Sequence, residues 1–340
     1  MIAQHGMESI RWKALPPYGI SNLKPGIADR YQGKDKDCIR YDEIVCCIKE
    51  CKHWLKRRRH DEAMDFCPEH RVSLSPTTYV HESAEQNLIV CPELFKHITK
   101  TESRLTNENS EDALSWNIFV GLWALGALGQ VFTRISKQNI QSEPELYLWG
   151  NRIQPDKCFR WSNLIKAQNA LEPGKKRQTE PDIILRVPGE ALVIIEAKFR
   201  SPNSRYDTKA KGRGAASDYF QGYSPNVGCT DPLNREWIRS APPTEILEQL
   251  CRNTILAQWL AKPGERIYLT NLVTADCEVN VEQEFNQHLV PGHITFSRLT
   301  WEDIAGLSIL RDPAGEPLRK YLEHKTYSLR PAFPSLRATS

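Results

Sequence analysis

Glu180-Pro181-Asp182 leads into Ile183-Ile184-Leu185-Arg186-Val187, then Pro188-Gly189-Glu190-Ala191, then Leu192-Val193-Ile194-Ile195-Glu196-Ala197-Lys198. Two apolar runs rich in isoleucine and valine flank a Pro-Gly pair. A type II turn takes those residues at its two central positions, so the stretch predicts a tight hairpin. Side chains alternate along a strand, which puts Asp182 on one face with Ile184, and Glu196 on one face with Lys198. Two carboxylates and an amine therefore converge at one edge of a buried sheet. Ending an apolar strand on charged groups costs desolvation, and a bound cation is a common compensation.

Pro181-Asp182 and Glu196-Ala197-Lys198 resemble the two halves of the signature of the PD-(D/E)XK nuclease superfamily, which holds many restriction endonucleases and DNA-repair nucleases. The resemblance implies an α/β, restriction-endonuclease-like core: a mixed central sheet flanked by helices. It also implies a Mg²⁺-dependent endodeoxyribonuclease, with restriction or phage defence as the family's commonest association. A phosphodiester is anionic and resists hydroxide, so a divalent ion must neutralise charge and activate water. Mg²⁺ takes hard oxygen ligands, one or two carboxylates among them. By the resemblance, Asp182 and Glu196 supply those carboxylates, and Lys198 orients or deprotonates the attacking water. Related nucleases also bring an acid to the metal from a helix ahead of the core strands. Here Ser110-Glu111-Asp112 opens such a helix, and Glu111 is favoured over Asp112. Without the resemblance, a serine followed by acids is simply a cap that suits the helix dipole. Two other functions stay open: a DNA-repair or RNA nuclease with the same centre, or a non-catalytic nucleic-acid-binding protein on a nuclease-like fold.

The run from Ala113 to Phe132 carries no charge and is about as long as a bilayer span. Ser115, Asn117, Gln130 and three glycines interrupt it, and the mean hydropathy of −0.52 suits a soluble chain. A helix apolar nearly all round is equally the central helix of a large domain, and that is the expectation.

After Lys198 the composition changes. Residues 199–243 are rich in Gly, Ser, Asn, Pro and basic groups and read as a long loop beside the candidate site. Tyr219 and Tyr223 lie within it as candidate stacking residues. Pro242-Pro243-Thr244 then predicts a helix start, with Leu247, Leu250, Ala257 and Leu260 as the buried stripe up to Leu260. Gln249, Arg252 and Asn253 share another face, and in related nucleases such polar residues turn toward the site. Strands are predicted over 266–273 and 293–299, with Thr300 and Asp303 forming an imperfect capping box for the helix that follows. The order helix, strands, hairpin, helix, strand, helix, strand is what a restriction-endonuclease-like core requires.

The amino-terminal third differs. Of ten cysteines, Cys38, Cys46, Cys47, Cys51 and Cys67 fall within thirty residues of one another. Residues 1–20 lack the apolar core and cleavage site of a signal peptide, which predicts a cytoplasmic location and favours metal ligation over disulfides. Cys47-x3-Cys51 and Cys67-x2-His70, fifteen residues apart, have the spacing of a structural zinc site. Cys46 is an alternative to Cys47, and His53 lies near. Between the pairs runs Lys56-Arg57-Arg58-Arg59-His60-Asp61-Glu62, a basic stretch suited to phosphate or to plain solvation.

The net charge of +3 and a pI near 8.3 imply no field over the whole chain, so a local basic channel must serve any nucleic acid. At 340 residues the chain predicts a zinc module over 1–90, a nuclease domain over 91–310 and a tail over 311–340. The expected partner is DNA, with no membrane, and a second copy of the chain is a candidate partner.

Overall fold

The computed structural model describes residues 12, 23–24, 43–56, 65–74, 78–98, 102–140, 142–175, 178–199, 201–206, 231–240, 245–327 and 330–337. Cys38, the basic stretch from Arg57 to Glu62, the segment 207–230 with Tyr219 and Tyr223, and Pro242-Pro243-Thr244 lie outside the described residues. The chain divides into two compact units: Met1–Leu125 with Ala305–Ser340, and Gly126–Ile304. The longer helices, in chain order, are α1 (Glu111–Ala124), α2 (Leu128–Ser136), α3 (Ser162–Leu171), α4 (Glu248–Leu260) and α5 (Glu316–His324).

The second unit is α/β, built on a mixed sheet of seven strands. These are β1 (Glu145–Leu148), β2 (Asn151–Ile153), β3 (Cys158–Arg160), β4 (Ile183–Val187), β5 (Ala191–Ala197), β6 (Arg266–Val273) and β7 (Thr295–Thr300). Their spatial order is β7-β6-β5-β4-β1-β2-β3. β1, β4 and β5 form an antiparallel meander, and β6 and β7 continue it in parallel. A parallel neighbour needs a crossover, and α4 supplies it between β5 and β6. β4 and β5 are buried along their whole length, as strands covered on both faces must be. On one face Leu192, Ile194, Ile267 and Leu269 pack with Leu250 and Ala257 of α4. On the other, Phe132 of α2 meets Tyr268 edge-on at 6.1 Å.

The hairpin forms as its turn residues dictate. The Glu190 N–H donates to the Val187 carbonyl at 3.0 Å, and Gly189 sits at φ 81°. A Cβ there would meet no neighbour, so the glycine serves the backbone conformation rather than packing. The carboxylate of Glu265 fastens the turn, accepting from the Gly189 N–H at 2.9 Å and from Arg186 Nη2 at 2.8 Å. Thr300 and Asp303 form the reciprocal cap expected of them. Asp303 N–H donates to Thr300 Oγ1 at 2.9 Å, and Thr300 N–H to Asp303 Oδ2 at 3.1 Å.

The apolar run proves to be two helices, α1 in the first unit and α2 in the second, because α1 ends at Ala124 and Gly126 takes a left-handed φ of 62°. Ser110 caps α1 by accepting from the Ala113 N–H at 3.1 Å. Trp116 and Asn117 of this buried helix are paired within the first unit, whereas the buried Ser115 hydroxyl has no partner among the described residues. Trp116 Nε1 donates to the Val90 carbonyl at 2.9 Å, and Asn117 accepts from Ile89 N–H and donates to the Asn87 carbonyl, both at 2.8 Å. Gly121 lies against α5, where a Cβ would come within 2.5 Å of Leu318. Among the described residues no single helix is long and apolar enough to cross a membrane. Two short ribbons, Glu43–Val45 with Trp54–Lys56 and Val72–Leu74 with Tyr79–His81, carry the amino-terminal cysteines at their ends.

Candidate functional site

The register of the hairpin decides where its charged residues meet. Ile183 pairs with Ile195, so one step further Asp182 stands opposite Glu196 on the same face of the sheet. Asp182 Oδ2 accepts from the Ala197 N–H at 3.0 Å, and the Asp182 carbonyl accepts from the Trp149 N–H at 3.0 Å. The aspartate is therefore held at both main chain and side chain. Lys198 follows by alternation, and its Nζ reaches Glu196 Oε1 at 2.5 Å. Asn253 of α4 donates to the other oxygen, Glu196 Oε2, at 2.8 Å. Glu196 and Lys198 are 2 % and 8 % exposed, so each charge is balanced by its partner rather than by water. Lys198 is fixed through its own backbone as well: its N–H donates to the Leu272 carbonyl at 2.7 Å, and its carbonyl accepts from Trp301 Nε1 at 3.0 Å.

Two further networks surround this centre, and sequence reasoning identified neither. The first holds the segment that delivers Asp182. Glu172, 1 % exposed, accepts from the N–H and Oγ1 of Thr179, and from Arg252 Nη2 at 3.0 Å. Arg252 Nε also donates to Thr179 Oγ1 at 2.7 Å. One turn of α4 thus steadies both carboxylates, through Arg252 on the Asp182 side and Asn253 on Glu196. The polar face of that helix was legible in the sequence. Its partner Glu172 was not, because nothing in the sequence ties it to a helix some eighty residues later. Gln249 is half-buried on the same helix.

The second network lies on β6, where Asn271 is the register partner of Glu196. Asn271 accepts from Asn203 Nδ2 at 2.9 Å and donates to Glu278 Oε2 at 2.8 Å. Glu278 also receives the Asn203 N–H at 3.0 Å and is held at φ 47°, a conformation that costs a side-chain-bearing residue energy. This knot ties the chain leaving Lys198 back to the strand beside it. Glu111 is the first residue of α1, half-buried beyond the Ser110 cap, and belongs to the first unit.

The second candidate site is a cysteine and histidine cluster in the first unit. Cys46, Cys51, Cys67 and His70 place one ligand atom each within 4.8 Å of all the others. The thiol that joins the cluster is Cys46, and the expected Cys47 is corrected accordingly. Both cysteines are buried in the same apolar cluster, but the Cys47 sulfur is not among the four ligand atoms that converge. The spacings suit a tetrahedral ion. Cys51 Sγ and Cys67 Sγ are 3.7 Å apart, and His70 Nδ1 lies 3.4 Å from Cys67 Sγ and 3.8 Å from Cys46 Sγ. Zinc bonds of about 2.3 Å to sulfur and 2.0–2.1 Å to nitrogen give tetrahedral edges of about 3.8 Å and 3.6 Å.

Each ligand pair sits in a turn that the ribbons fix. The Cys46 N–H donates to the His53 carbonyl at 2.9 Å, and the Cys67 N–H to the Val72 carbonyl at 3.0 Å. Glu50 and Arg71, at φ 64° and 54°, make the tight reversals. Burial pushes the Cys51 thiol up to about 12, and the neighbouring Cys47 thiol followed by burial raises Cys46. Cys46 and Cys51 therefore hold their protons in the free cluster, and an incoming metal must release them. Among the described residues, this is the group of three or more Cys, His, Asp or Glu side chains that converge closely enough to hold an ion.

No family model matches the chain, and no curated protein or solved structure matches it at a significant level.

Proposed function

We propose that the chain is a metal-dependent DNA endonuclease of the PD-(D/E)XK kind, with a structural zinc in its first unit. The observation that carries this reading is Asp182 opposite Glu196, with Lys198 on the same carboxylate, where the meander meets parallel strand β6. The element order supports it too: antiparallel β1, β4 and β5, crossover helix α4, then parallel β6 is the sequence of elements expected of a restriction-endonuclease-like core.

Asp182 and Glu196 are two carboxylates on one face, the number through which Mg²⁺ is commonly held alongside water and phosphate oxygens. When bound, that ion supplies charge neutralisation and an acidified water. Asp182 is half-buried, and its carboxylate is steadied by the Ala197 N–H. Lys198, paired with Glu196 at 2.5 Å, places an ammonium beside the point of attack, where it orients water and meets charge on the phosphate. Asn253 keeps Glu196 in its rotamer, and the Arg252–Glu172–Thr179 network keeps the Asp182 strand in register. Cys46, Cys51, Cys67 and His70 would together give a zinc ion four protein ligands, leaving no position for hydrolysis. A role in restriction or phage defence belongs to this same proposal.

One observation favours a second reading. Both oxygens of Glu196 already have protein partners, Lys198 and Asn253, as in a protein that binds nucleic acid without cutting it. Incubation of the purified chain with supercoiled plasmid, in Mg²⁺ and in EDTA, separates the two. Nicked or linear product that disappears in EDTA supports the endonuclease, whereas a mobility shift with no cleavage supports the binding protein.

A further inference from the structure

The amino-terminal ribbon carries a feature that a purely structural zinc module does not need. Trp54 is 65 % exposed, and among the described residues it is the tryptophan that is exposed. Its orientation is set by strand parity: Leu55 is 2 % exposed and enters the core, so Trp54, the partner of Val45, must face out. The turn next to it is fixed by the cluster, since the Cys46 N–H bonds to the His53 carbonyl at 2.9 Å. Next to it in the chain, a cavity of ≈ 520 Å³ is lined by Lys49, Glu50, Cys51, Lys52, His53, Glu69 and His70.

A large ring held rigidly in solvent forgoes the burial that usually places it inside. The surroundings indicate what covers it. Lys49 and Lys52 are both exposed on the stretch that leads into the strand of Trp54. An apolar protein partner would call for apolar neighbours, and here they are charged. An aromatic platform flanked by cations suits a base stacked on the ring with its phosphates on the lysines.

We propose that this ribbon is a stacking platform for an unpaired nucleobase, with Trp54 under the base and Lys49 and Lys52 on the flanking phosphates. The proposal deepens the nuclease reading and rests on it for the choice of a nucleic acid. It assigns the first unit to single-stranded or opened segments of the substrate rather than to intact duplex.

The test is fluorescence anisotropy of zinc-replete full chain with a short labelled single strand, as DNA and as RNA, and with the matching duplex. Mg²⁺ is omitted so that cleavage plays no part. Wild-type protein is expected to prefer the single strands. Trp54→Ala should weaken that binding about tenfold or more, and Trp54→Phe should retain most of it, both with unchanged zinc content. Lys49→Gln with Lys52→Gln should flatten the salt dependence by about 1.4 in log–log slope. Equal binding by Trp54→Ala and wild type, or no single-strand binding at all, overturns the platform. Since nothing is cut in this experiment, Trp54-dependent binding by a protein that never cleaves plasmid would leave the platform standing while the nuclease reading falls.

Discussion

Asp182 stands directly across the β4–β5 pair from Glu196, and its Oδ2 accepts from the N–H of the next residue, Ala197, at 3.0 Å. The two carboxylates are thus locked together by backbone register rather than by flexible side chains. Their environments differ: Glu196 is buried under Lys198 and Asn253, while Asp182 is half-buried at the strand entrance. That asymmetry governs how each position responds to substitution.

Asp182→Asn keeps an acceptor for the Ala197 N–H and removes the charge, so the fold should be little affected. Lys198→Ala behaves otherwise. The strand-end position suggests a mild substitution, but Glu196 is 2 % exposed and would be left without its cation. Breaking such a buried pair costs about 3–5 kcal/mol. Urea denaturation of the two variants should show a large drop in midpoint for Lys198→Ala and a small one for Asp182→Asn.

Arg252→Ala should also cost up to about 3 kcal/mol, because the buried carboxylate of Glu172 loses its nearer cation and keeps Lys175 at 3.9 Å. Arg252→Lys restores the charge without the fork that reaches both Glu172 and Thr179, so it should recover only part of the loss. The same denaturation series reads this directly. Equal stability of the alanine variant and wild type would show that α4 does not hold the Asp182 strand.

Cys46→Ser should abolish stoichiometric metal while Cys47→Ser retains it, since Cys46 belongs to the converging group and Cys47 does not. Elemental analysis of protein purified from zinc-supplemented medium distinguishes them. Zinc lost from Cys47→Ser and kept by Cys46→Ser would reverse the assignment.

These contrasts show which parts of the site the sequence reveals. The hairpin was readable because Pro188-Gly189 and strand parity are local: two positions and a period of two fix the turn and the face. The face of α4 that carries Arg252 and Asn253 was readable from helical spacing for the same reason. Adjacent Cys46 and Cys47 share their spacing to Cys51, so only the three-dimensional path of the chain separates them. Glu278 meets Asn203 across seventy-five residues and Arg252 meets Glu172 across eighty, and no periodicity reports such pairings. The strands of β1, β2 and β3 are three or four residues long, too short for alternation to stand out.

His81 gives the first unit a defined acid sensitivity. Burial, with the charge of Lys325 second, lowers its folded pKa from 6.5 to about 3. The folded state keeps this ring neutral, and below pH 6.5 the unfolded chain binds the proton that the folded chain refuses. Stability from this group is therefore complete above about 6.5 and is lost as pH falls toward 3, at about 1.4 kcal/mol per unit inside that window. Between pH 6.5 and 5 the loss amounts to about 2 kcal/mol. Urea midpoints of wild type and His81→Phe across that range should converge on acidification, and parallel curves would contradict the assignment.

We propose Asp182, Glu196 and Lys198 as the cleavage centre. Its most direct test compares wild type and Asp182→Asn in single-turnover cleavage of supercoiled plasmid with saturating Mg²⁺, at protein concentrations matched for DNA binding. The account predicts nicking by wild type, and for Asp182→Asn the EDTA background with binding and fold retained. Cleavage by Asp182→Asn at the wild-type rate, or none by wild type under any divalent ion, would contradict it.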